Sequence, residues 1–352
     1  MEILKFNPIF KPTLWGSETW VVSAVAGSES VVLNGEDKGM TLPEVVARYG
    51  AEFLGKKNTE RFGTDFPLLI KFIDARQDLS IQVHPDDALA AERHDSYGKT
   101  EMWYITSCEE GAAIYIGFNR EITREEYLEA VSNGSLTDML NRVEVKAGDA
   151  FFIPAGMVHA LGKGVQVVEI QQTSDVTYRI YDWNRTDDKG NPRELHTALA
   201  VDAIDFESGV EECRRTYTTE PNKEVNIVDC DFFKTDMLVV DGVAELNYCK
   251  RDSFTIYMCI EGETKVSLDN GSTETLRTGE VMLIPAIANE VTIEHDGKTE
   301  TVYIAKGTVE DALEKMNAII TCEKCRVDRI EDVELGKAEV RAVFTVGKTT
   351  RS

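Results

Sequence analysis

Short runs of apolar residues, many of them alternating with polar ones, dominate residues 19–172. Most of the apolar positions hold β-branched or aromatic residues, and Gly, Pro, Asp or Asn separates the runs. This pattern is typical of β-strands joined by tight turns. It predicts strands in the segments TWVVSAV, SVVLN, LLIKFID, LSIQVH, EMWYIT, AAIYIGF, AFFIPA and VQVVEIQQ.

Helical periodicity is confined to fewer segments. Residues 41–55 read as one helix that begins at Thr41 and ends at Gly55. Residues 123–143 read as another, because Thr123 and Glu126 have the spacing of a capping box. This second segment interrupts the strand series, so we interpret residues 120–143 as a helical insertion.

The strand pattern stops in the polar residues 208–224 and then resumes as a second copy of the first half. GDAFFIPAGMVH at 148–159 resembles GEVMLIPAIANE at 279–290, and EMWYITSCEEG at 101–111 resembles FTIYMCIEG at 254–262. A repeat of this kind predicts two small β-barrels, each closing its sheet on itself.

The two copies differ at polar positions. The alignment places Phe254 opposite Glu101, and Glu290 opposite His159. The polar constellation of the first copy therefore has no predicted counterpart in the second. The predicted parts are a first domain of residues 1–210, a second, metal-free domain of residues 220–310 and a C-terminal extension of residues 311–352. The extension has no assigned role, and VEDALEKMNAII within it is typical of a helix.

Composition and charge exclude several classes of protein. The 352 residues suffice for two domains with sizeable cores. A net charge of −24 argues against a nucleic-acid-binding surface, which needs basic faces. The longest apolar run, FPLLIKFI, is far shorter than the about 20 residues of a membrane span, and the N-terminus lacks a signal-peptide pattern. We expect a cytoplasmic protein without membrane or nucleic-acid partners, whose oligomeric state the sequence leaves open.

The cysteines predict no disulfide framework. Seven cysteines, scattered and odd in number, fit reduced thiols. Cys322 and Cys325 form a close pair in TCEKC, but the sequence has no second pair at matching spacing. A zinc knuckle at this pair is therefore disfavoured.

The segment LSIQVHPDD, residues 79–87, raises the question of which strand face lies inside. Alternation separates the polar residues Ser80, Gln82 and His84 from the apolar residues Leu79, Ile81 and Val83. A half-exposed strand usually buries its apolar face. A barrel that holds a ligand can instead turn its polar face inward.

Four polar side chains of the first copy could meet around a metal ion. Each has a simpler role when taken alone: Gln82 on a solvated strand, His84 bonded to the backbone, Glu101 paired with Lys99, and His159 satisfied in a core. Together, imidazole, carboxylate and amide groups from several strands suit a divalent cation such as zinc. The absence of Glu101 and His159 from the second copy favours the metal site.

Several motifs resemble those of one known family. IQVHPDD, GKTE, FIPAGMVHALG and SDVTYRIYDWNR are similar, in order and spacing, to motifs of the short bacterial type I mannose-6-phosphate isomerases of the cupin superfamily. The resemblance spans about residues 1–310 and includes WGSETW and the PRELH segment at 192–196. It implies a mainly β fold of two cupin-like (jelly-roll) β-barrels, with the short helical insertion in the first and the polar face of residues 80–84 inside.

The resemblance also implies roles for individual residues. It implies one zinc ion per chain held by Gln82, His84, Glu101 and His159, a catalytic Arg179, Lys99 and Asp175 in the pocket, and Ser80 near the phosphate. An ion pair with Asp175 or Asp182 is the plainer role for Arg179. The phosphate candidates are Ser80, Lys99 and Arg179, with Lys11 and Arg185 less favoured.

The implied reaction interconverts mannose 6-phosphate and fructose 6-phosphate by moving a proton between C1 and C2 through an enediol or enediolate. Zinc would polarise the carbonyl group, and Arg179 would add a fixed positive charge. The general base stays open among a zinc-bound hydroxide, His84, Lys99 and Asp175.

Two other functions are alternatives. A metal-dependent cupin oxygenase would usually use more histidine ligands. A non-catalytic sugar-sensing cupin would lack Arg179 or part of the ligand set, and would carry a helix-turn-helix that the sequence does not show. The other histidines receive structural roles: His94 in a loop, His196 in a structural contact and His295 at the surface.

Overall fold

The computed structural model describes residues 1–186, 189–207, 210–295, 300–307 and 345–346. The chain divides into two compact units. The first unit comprises Ile9–Trp20 and Leu68–Arg215, and the second comprises Met1–Pro8, Val21–Pro67 and Thr216–Ser352. Residues 21–67 thus group with the C-terminal half, whereas the sequence interpretation assigns them to the first domain. The boundaries 1–210, 220–310 and 311–352 stay a prediction.

Strands form most of the regular structure. They are β1 Leu4–Lys5, β2 Ile9–Thr13, β3 Gly16–Val22, β4 Leu68–Ala75, β5 Ile81–Val83, β6 Glu101–Cys108, β7 Ala113–Phe118, β8 Leu140–Glu144, β9 Ala150–Ile153, β10 His159–Leu161, β11 Val165–Gln172, β12 Tyr178–Tyr181, β13 Arg214–Arg215, β14 Glu224–Asp229, β15 Phe233–Val240, β16 Val243–Asn247, β17 Thr255–Glu261, β18 Glu263–Leu268, β19 Thr273–Arg277, β20 Val281–Ile284, β21 Glu290–Glu294, β22 Glu300–Gly307 and β23 Thr345–Val346. The predicted mainly β fold is confirmed.

Helices are short by comparison. They are α1 Leu42–Tyr49, α2 Ala51–Leu54, α3 Lys56–Phe62, α4 Asp87–His94, α5 Arg124–Asn133 and α6 Thr197–Ala203, with single 3₁₀ turns at Leu136–Met139 and Val210–Glu212. Within the described ranges, no helix has the length and apolar character that a membrane crossing requires.

Each unit contains two antiparallel sheets. In the first unit the strand orders are β13-β9-β6-β11-β4-β3-β2 and β12-β5-β10-β7-β8. In the second they are β1-β20-β17-β22-β15-β14, with β23 alongside β15 and β17, and β16-β21-β18-β19.

The core of the first unit lies between its two sheets. Alternate residues of β4, β6 and β11, including Ile73, Ile105 and Val167, pack against Ile114 of β7 and Leu161 of β10. These side chains are almost fully buried. Burial of each stabilises the unit by about 1.5–3 kcal/mol, so this cluster fixes the strand faces.

A second apolar layer covers the outer face of β5. Ile81 and Val83 pack in one cluster with Tyr127 of α5 and Ala200 of α6. The helices therefore bury the apolar face of β5, and its polar face turns toward the space between the sheets. Leu79 is an exception to the predicted alternation, because it packs in the core between the sheets. The regular strand begins only at Ile81, and the pairing of β12 with β5 is irregular beside it.

The predicted helical segments are shorter than expected. Gly50 and Gly55, with φ of 51° and 94°, interrupt residues 41–55 and separate α1, α2 and α3. The capping box at Thr123 does begin α5, but Gly134 ends it and residues 140–143 belong to β8. The predicted strand SVVLN forms isolated bridges only, at Val31 and Val32.

The predicted helix in VEDALEKMNAII and the pair Cys322 and Cys325 lie outside the described residues. The same holds for most of the predicted C-terminal extension, of which the structure describes β23.

Gly55 should be far less replaceable than Gly63. Both have positive φ, but a Cβ atom on Gly55 would lie 2.3 Å from the carbonyl oxygen of Asp252, whereas one on Gly63 would have no heavy atom within 4 Å. We expect Gly55→Ala to lower the free energy of unfolding by about 3–5 kcal/mol and Gly63→Ala by about 1–3 kcal/mol. Urea denaturation measures both, and equal losses would contradict the clash.

Candidate metal centre

Three ionisable side chains meet at the polar end of the space between the sheets of the first unit. His84, Glu101 and His159 are fully buried, and their ligand atoms lie within 4.8 Å of one another. Glu101 Oε1 is 3.2 Å from His159 Nε2, and Glu101 Oε2 is 3.6 Å from His84 Nε2. Within the described ranges, no other set of three such groups converges in this way.

Strand pairing brings these residues together. His159 of β10 lies directly opposite Gln82 of β5, so both side chains project from the same sheet face. His84 follows one residue after the end of β5. Glu101 begins β6 in the other sheet, opposite Gln171 and Ile153.

Each imidazole is oriented by a backbone carbonyl group. Nδ1 of His84 is 3.0 Å from the oxygen of Val176, and Nδ1 of His159 is 2.8 Å from the oxygen of Met157. Because a carbonyl oxygen can only accept, Nδ1 carries the proton in both rings. Nε2 of each ring then faces Glu101, the arrangement seen in metal-ligating histidines whose other ring nitrogen is held by a carbonyl group.

The centre contains buried polar atoms that lack a protein hydrogen-bond partner: His84 Nε2 and both carboxylate oxygens of Glu101. Lys99 Nζ lies 3.2 Å from Glu101 Oε2 as an ion pair, without hydrogen-bond geometry. Each buried polar atom without a partner costs about 1–3 kcal/mol. A divalent cation with nitrogen and oxygen ligands fits this donor set.

The protonation state of His84 also fits cation binding. Burial, together with the positive charges of Lys99 and His159, lowers the pKa of His84 well below its ordinary value. The ring is therefore neutral near pH 7, which is the form that binds a metal ion.

Of the other predicted site residues, Gln82 contacts the centre, whereas the rest lie around it or at the surface. Gln82 is half-buried with its amide nitrogen 3.4 Å from His159 Nε2, and Ser80 is buried just before β5. Arg179 lies opposite Gln82 in the pairing of β12 with β5, which places it on the same face. Asp175 is exposed.

The simpler role proposed for Arg179, an ion pair with Asp175 or Asp182, is not the arrangement that the structure shows for its Nη1 atom. Asp182 forms ion pairs with Arg185 and Arg193, and Arg179 Nη1 donates instead to the carbonyl oxygen of Glu194 at 2.8 Å. Burial and then the charge of Arg193 lower the pKa of Arg179. Its Nε is buried without a partner.

His196 makes a structural contact with Arg179. Its ring Nδ1 accepts from the backbone N–H of Arg179 at 3.1 Å. The backbone N–H of His196 donates to the Arg179 carbonyl oxygen at 2.7 Å. Lys11, a weaker phosphate candidate, has its ammonium group 3.4 Å from the ring centroid of Trp20.

Sequence reasoning missed a buried charge network beside the centre. Lys71 Nζ lies 3.0 Å from Glu169 Oε1, and Glu169 Oε2 accepts from Trp103 Nε1 at 2.9 Å. The Trp103 ring meets His159 edge-on, with centroids 5.3 Å apart. The sequence signal that could have revealed this pair is a charged residue inside each of two apolar runs: Lys71 in FPLLIKFI and Glu169 in VQVVEIQQ.

The network keeps both of its charges. Burial alone would raise the pKa of Glu169, but Lys71 and Lys99 lower it to about 2. Burial opposes the charge of Lys71 as well, but Glu169 and Glu18 raise its pKa above the ordinary value. A carboxylate and an ammonium group are thus both ionised near pH 7.

Strand register corrects one part of the repeat alignment. Glu101 lies opposite Ile153, and Thr255 lies opposite Ile284. Ile153 and Ile284 are matched in the repeat GDAFFIP and GEVMLIP. Thr255, and not Phe254, therefore takes the place of Glu101. A threonine at this position still gives the second copy no carboxylate there.

Two family models match separate parts of the chain. "Phosphomannose isomerase type I, catalytic domain" matches residues 7–126, and "Mannose-6-phosphate isomerase, cupin domain" matches residues 223–304. The chain is 36% identical to mannose-6-phosphate isomerase ManA of Bacillus subtilis, over 83% of this chain and 96% of that protein. The chain belongs to the type I mannose-6-phosphate isomerase family. The resemblance stated from the sequence motifs is confirmed, and the chain is an enzyme of this family.

A further relative and a solved structure support the same family membership. Mannose-6-phosphate isomerase of Streptococcus mutans is 34% identical over 78% of this chain and 84% of its own length. The crystal structure of the mannose 6-phosphate isomerase from Bacillus subtilis matches with a TM-score of 0.77 at 33% identity, covering 86% of this chain and 99% of that one.

Disruption of the Lys71–Glu169 pair should destabilise the first unit. We expect Lys71→Met and Glu169→Gln each to lower the free energy of unfolding by about 3–5 kcal/mol, because each leaves a buried charge without its partner. The double variant should lose less than the sum of the two. Urea denaturation measures this, with Arg76→Gln as a control because Arg76 pairs with Asp74 at the surface. Strict additivity would contradict the coupling.

Proposed function

We propose that this protein interconverts mannose 6-phosphate and fructose 6-phosphate with one zinc ion bound in the first unit. The observation that carries this proposal is the buried group His84, Glu101 and His159, in which two imidazole Nε2 atoms face a carboxylate that lacks a hydrogen-bond partner. Family membership supports the substrate, because relatives such as ManA are named as mannose-6-phosphate isomerases.

We assign the ligand set to Gln82, His84, Glu101 and His159. Gln82 supports this assignment because its amide group already lies 3.4 Å from His159 Nε2, and its nitrogen and oxygen exchange places when the amide turns over. When bound, the cation would supply Lewis-acid polarisation of the sugar carbonyl group. These four side chains then hold it in a water-poor site, where charge interactions are strong.

We assign the remaining roles to residues around the centre. Arg179, on the face shared with Gln82, provides a fixed positive charge where the enediolate oxygen develops. We assign proton transfer to Lys99, whose ammonium group lies 3.2 Å from Glu101 at the proposed metal site. Asp175, which is exposed, completes the catalytic set. The phosphate set is Ser80, Lys99 and Arg179.

We also propose that each unit closes as a cupin-like (jelly-roll) barrel, with α5 as the helical insertion of the first. Two antiparallel sheets in each unit support this proposal, as does the matching register of β6 with β9 and of β17 with β20. The family match disfavours both alternatives, the cupin oxygenase and the sugar sensor.

Removal of a ligand should remove the metal. We expect His159→Ala to lose bound zinc and to weaken zinc affinity by more than about a hundredfold, beyond the range for second-sphere changes. Elemental analysis of the purified protein and an anomalous-scattering map measure occupancy without reference to activity. His94→Asn is the control, since His94 is exposed and bonds to Tyr178. Full zinc content in His159→Ala would contradict the ligand assignment.

The zinc-loaded protein should convert mannose 6-phosphate to fructose 6-phosphate in a coupled assay. Treatment with a chelator should abolish turnover, and added zinc should restore it. We expect Arg179→Ala to lower kcat by about 100–1,000-fold with an unchanged melting temperature, because it removes transition-state stabilisation. A fully zinc-loaded wild-type protein without turnover would favour the sugar sensor.

A further inference from the structure

Two arginines, Arg185 and Arg193, pair with one carboxylate after β12 in the first unit, and a third, Arg179, lies within β12. Asp182, almost fully buried, lies 2.6 Å from Arg193 Nη2 and 2.5 Å from Arg185 Nη2. Arg193 also donates from Nε to Asp182 at 2.7 Å, which makes a two-bond pair. We call Arg179, Arg185, Arg193 and Asp182 the arginine cluster.

The same segment that carries Arg193 also holds Arg179. The carbonyl oxygen of Glu194 accepts from Arg179 Nη1 at 2.8 Å. His196 is bonded to the backbone of Arg179 in both directions. Residues 193–196 therefore run beside β12 and hold Arg193 close to Arg179. Arg179 in turn shares a strand face with Gln82.

The turn after β12 has a strained backbone and is hydrogen-bonded to the segment that precedes β5. Trp183 and Asn184 have φ of 55° and 54°, a conformation that costs non-glycine residues energy and often marks functional sites. Trp183 Nε1 donates to the carbonyl oxygen of Leu79 at 2.7 Å, and Arg185 Nη1 to that of Asp78 at 2.6 Å. These bonds tie Trp183 and Arg185 to the two residues that directly precede Ser80 of the phosphate set.

The charge of the arginine cluster is not balanced by its own residues. Arg185 and Arg193 share the single carboxylate of Asp182, and Arg179 bonds to a carbonyl group instead, in a chain whose net charge is −24. Burial and then the positive charges of Arg193 and Arg185 lower the pKa of Arg179, although the charges of Asp182 and Glu194 act in the opposite direction. Arg179 Nε is also buried without a partner. A doubly charged anion would satisfy both the free donor and the excess positive charge.

We propose that Arg193 binds the phosphate group of the sugar substrate, and that Asp182 is a positioning residue that holds Arg193 and Arg185. The ligand class is a phosphate monoester dianion. Asp182 occupies Nε and Nη2 of Arg193, which leaves Nη1 for the ligand. The inference rests on the proposed function and extends the phosphate set by a residue that the sequence interpretation did not select.

Kinetics of Arg193→Gln test the proposal. We expect KM for mannose 6-phosphate and the inhibition constant of inorganic phosphate to rise together by about ten- to a hundredfold, as for the loss of a charge-assisted hydrogen bond. The value of kcat should stay within about threefold, because the phosphate is remote from C1 and C2. Arg124→Gln is the matched control, since Arg124 forms an exposed ion pair with Asp202 in the same unit.

Asp182→Asn tests the positioning role. We expect a parallel rise in KM and in the phosphate inhibition constant with little change in kcat. Arg193→Lys, which keeps the charge but cannot form the two-bond pair, should fall between wild type and Arg193→Gln. This conservative variant serves if either other variant fails to fold, as judged by its melting curve.

Calorimetric titration of the zinc-loaded protein with inorganic phosphate separates this inference from the proposed function. Active wild-type protein with unchanged KM and phosphate affinity in Arg193→Gln would overturn the role of Arg193 and leave the isomerase function intact. Wild-type protein that binds phosphate through Arg193 but has no turnover would support the anion site and overturn the isomerase function.

Discussion

A buried carboxylate between two imidazole rings is the constraint on which the first unit depends. Glu101 has no exposed surface, and neither of its oxygens has a hydrogen-bond partner within the described part of the chain. Such an arrangement is costly in a folded protein unless a cation shares the site. The strand pairing of β10 with β5, the carbonyl groups that orient both histidines and the nearby Lys99 all act on this one group. The apolar core and outer helices keep water away from it, which strengthens every charge interaction there.

Much of the centre followed from the sequence because strand periodicity and repeat comparison are local signals. Alternation placed Gln82 and His84 on one face, and the repeat marked Glu101 and His159 as particular to the first copy. Charged residues within apolar runs were harder to interpret, so Lys71 and Glu169 were missed. Their burial depends on each other across neighbouring strands, and no local pattern reveals such a pair. Leu79 and the Thr255 register were misplaced for a similar reason, because an irregular pairing or a one-residue shift changes the strand face.

The two units show how one β architecture accommodates different interiors. In the first unit, His159 contacts Trp103, which is linked through Glu169 to Lys71, so the candidate metal centre and the apolar core share a boundary of paired charges. In the second unit, Thr255 stands where the carboxylate would be. Arg251 pairs there with Glu224, and the Tyr248 and Tyr257 hydroxyl groups bond to each other. The second unit thus buries a guanidinium group paired with a carboxylate, whereas the first buries two imidazoles beside a carboxylate.

The second unit is assembled from segments that lie far apart in sequence, and this affects how a nascent chain can fold. Leu4 of β1 pairs with Leu283 of β20, so β1 finds its partner only after all strands of the first unit have been made. Contacts this distant in sequence are slow to form, because a long loop must close first. The first unit, whose strands from β4 to β13 are continuous in sequence, is available to fold earlier during synthesis. His84, Glu101 and His159 are therefore all present in the growing polypeptide before the other unit can close.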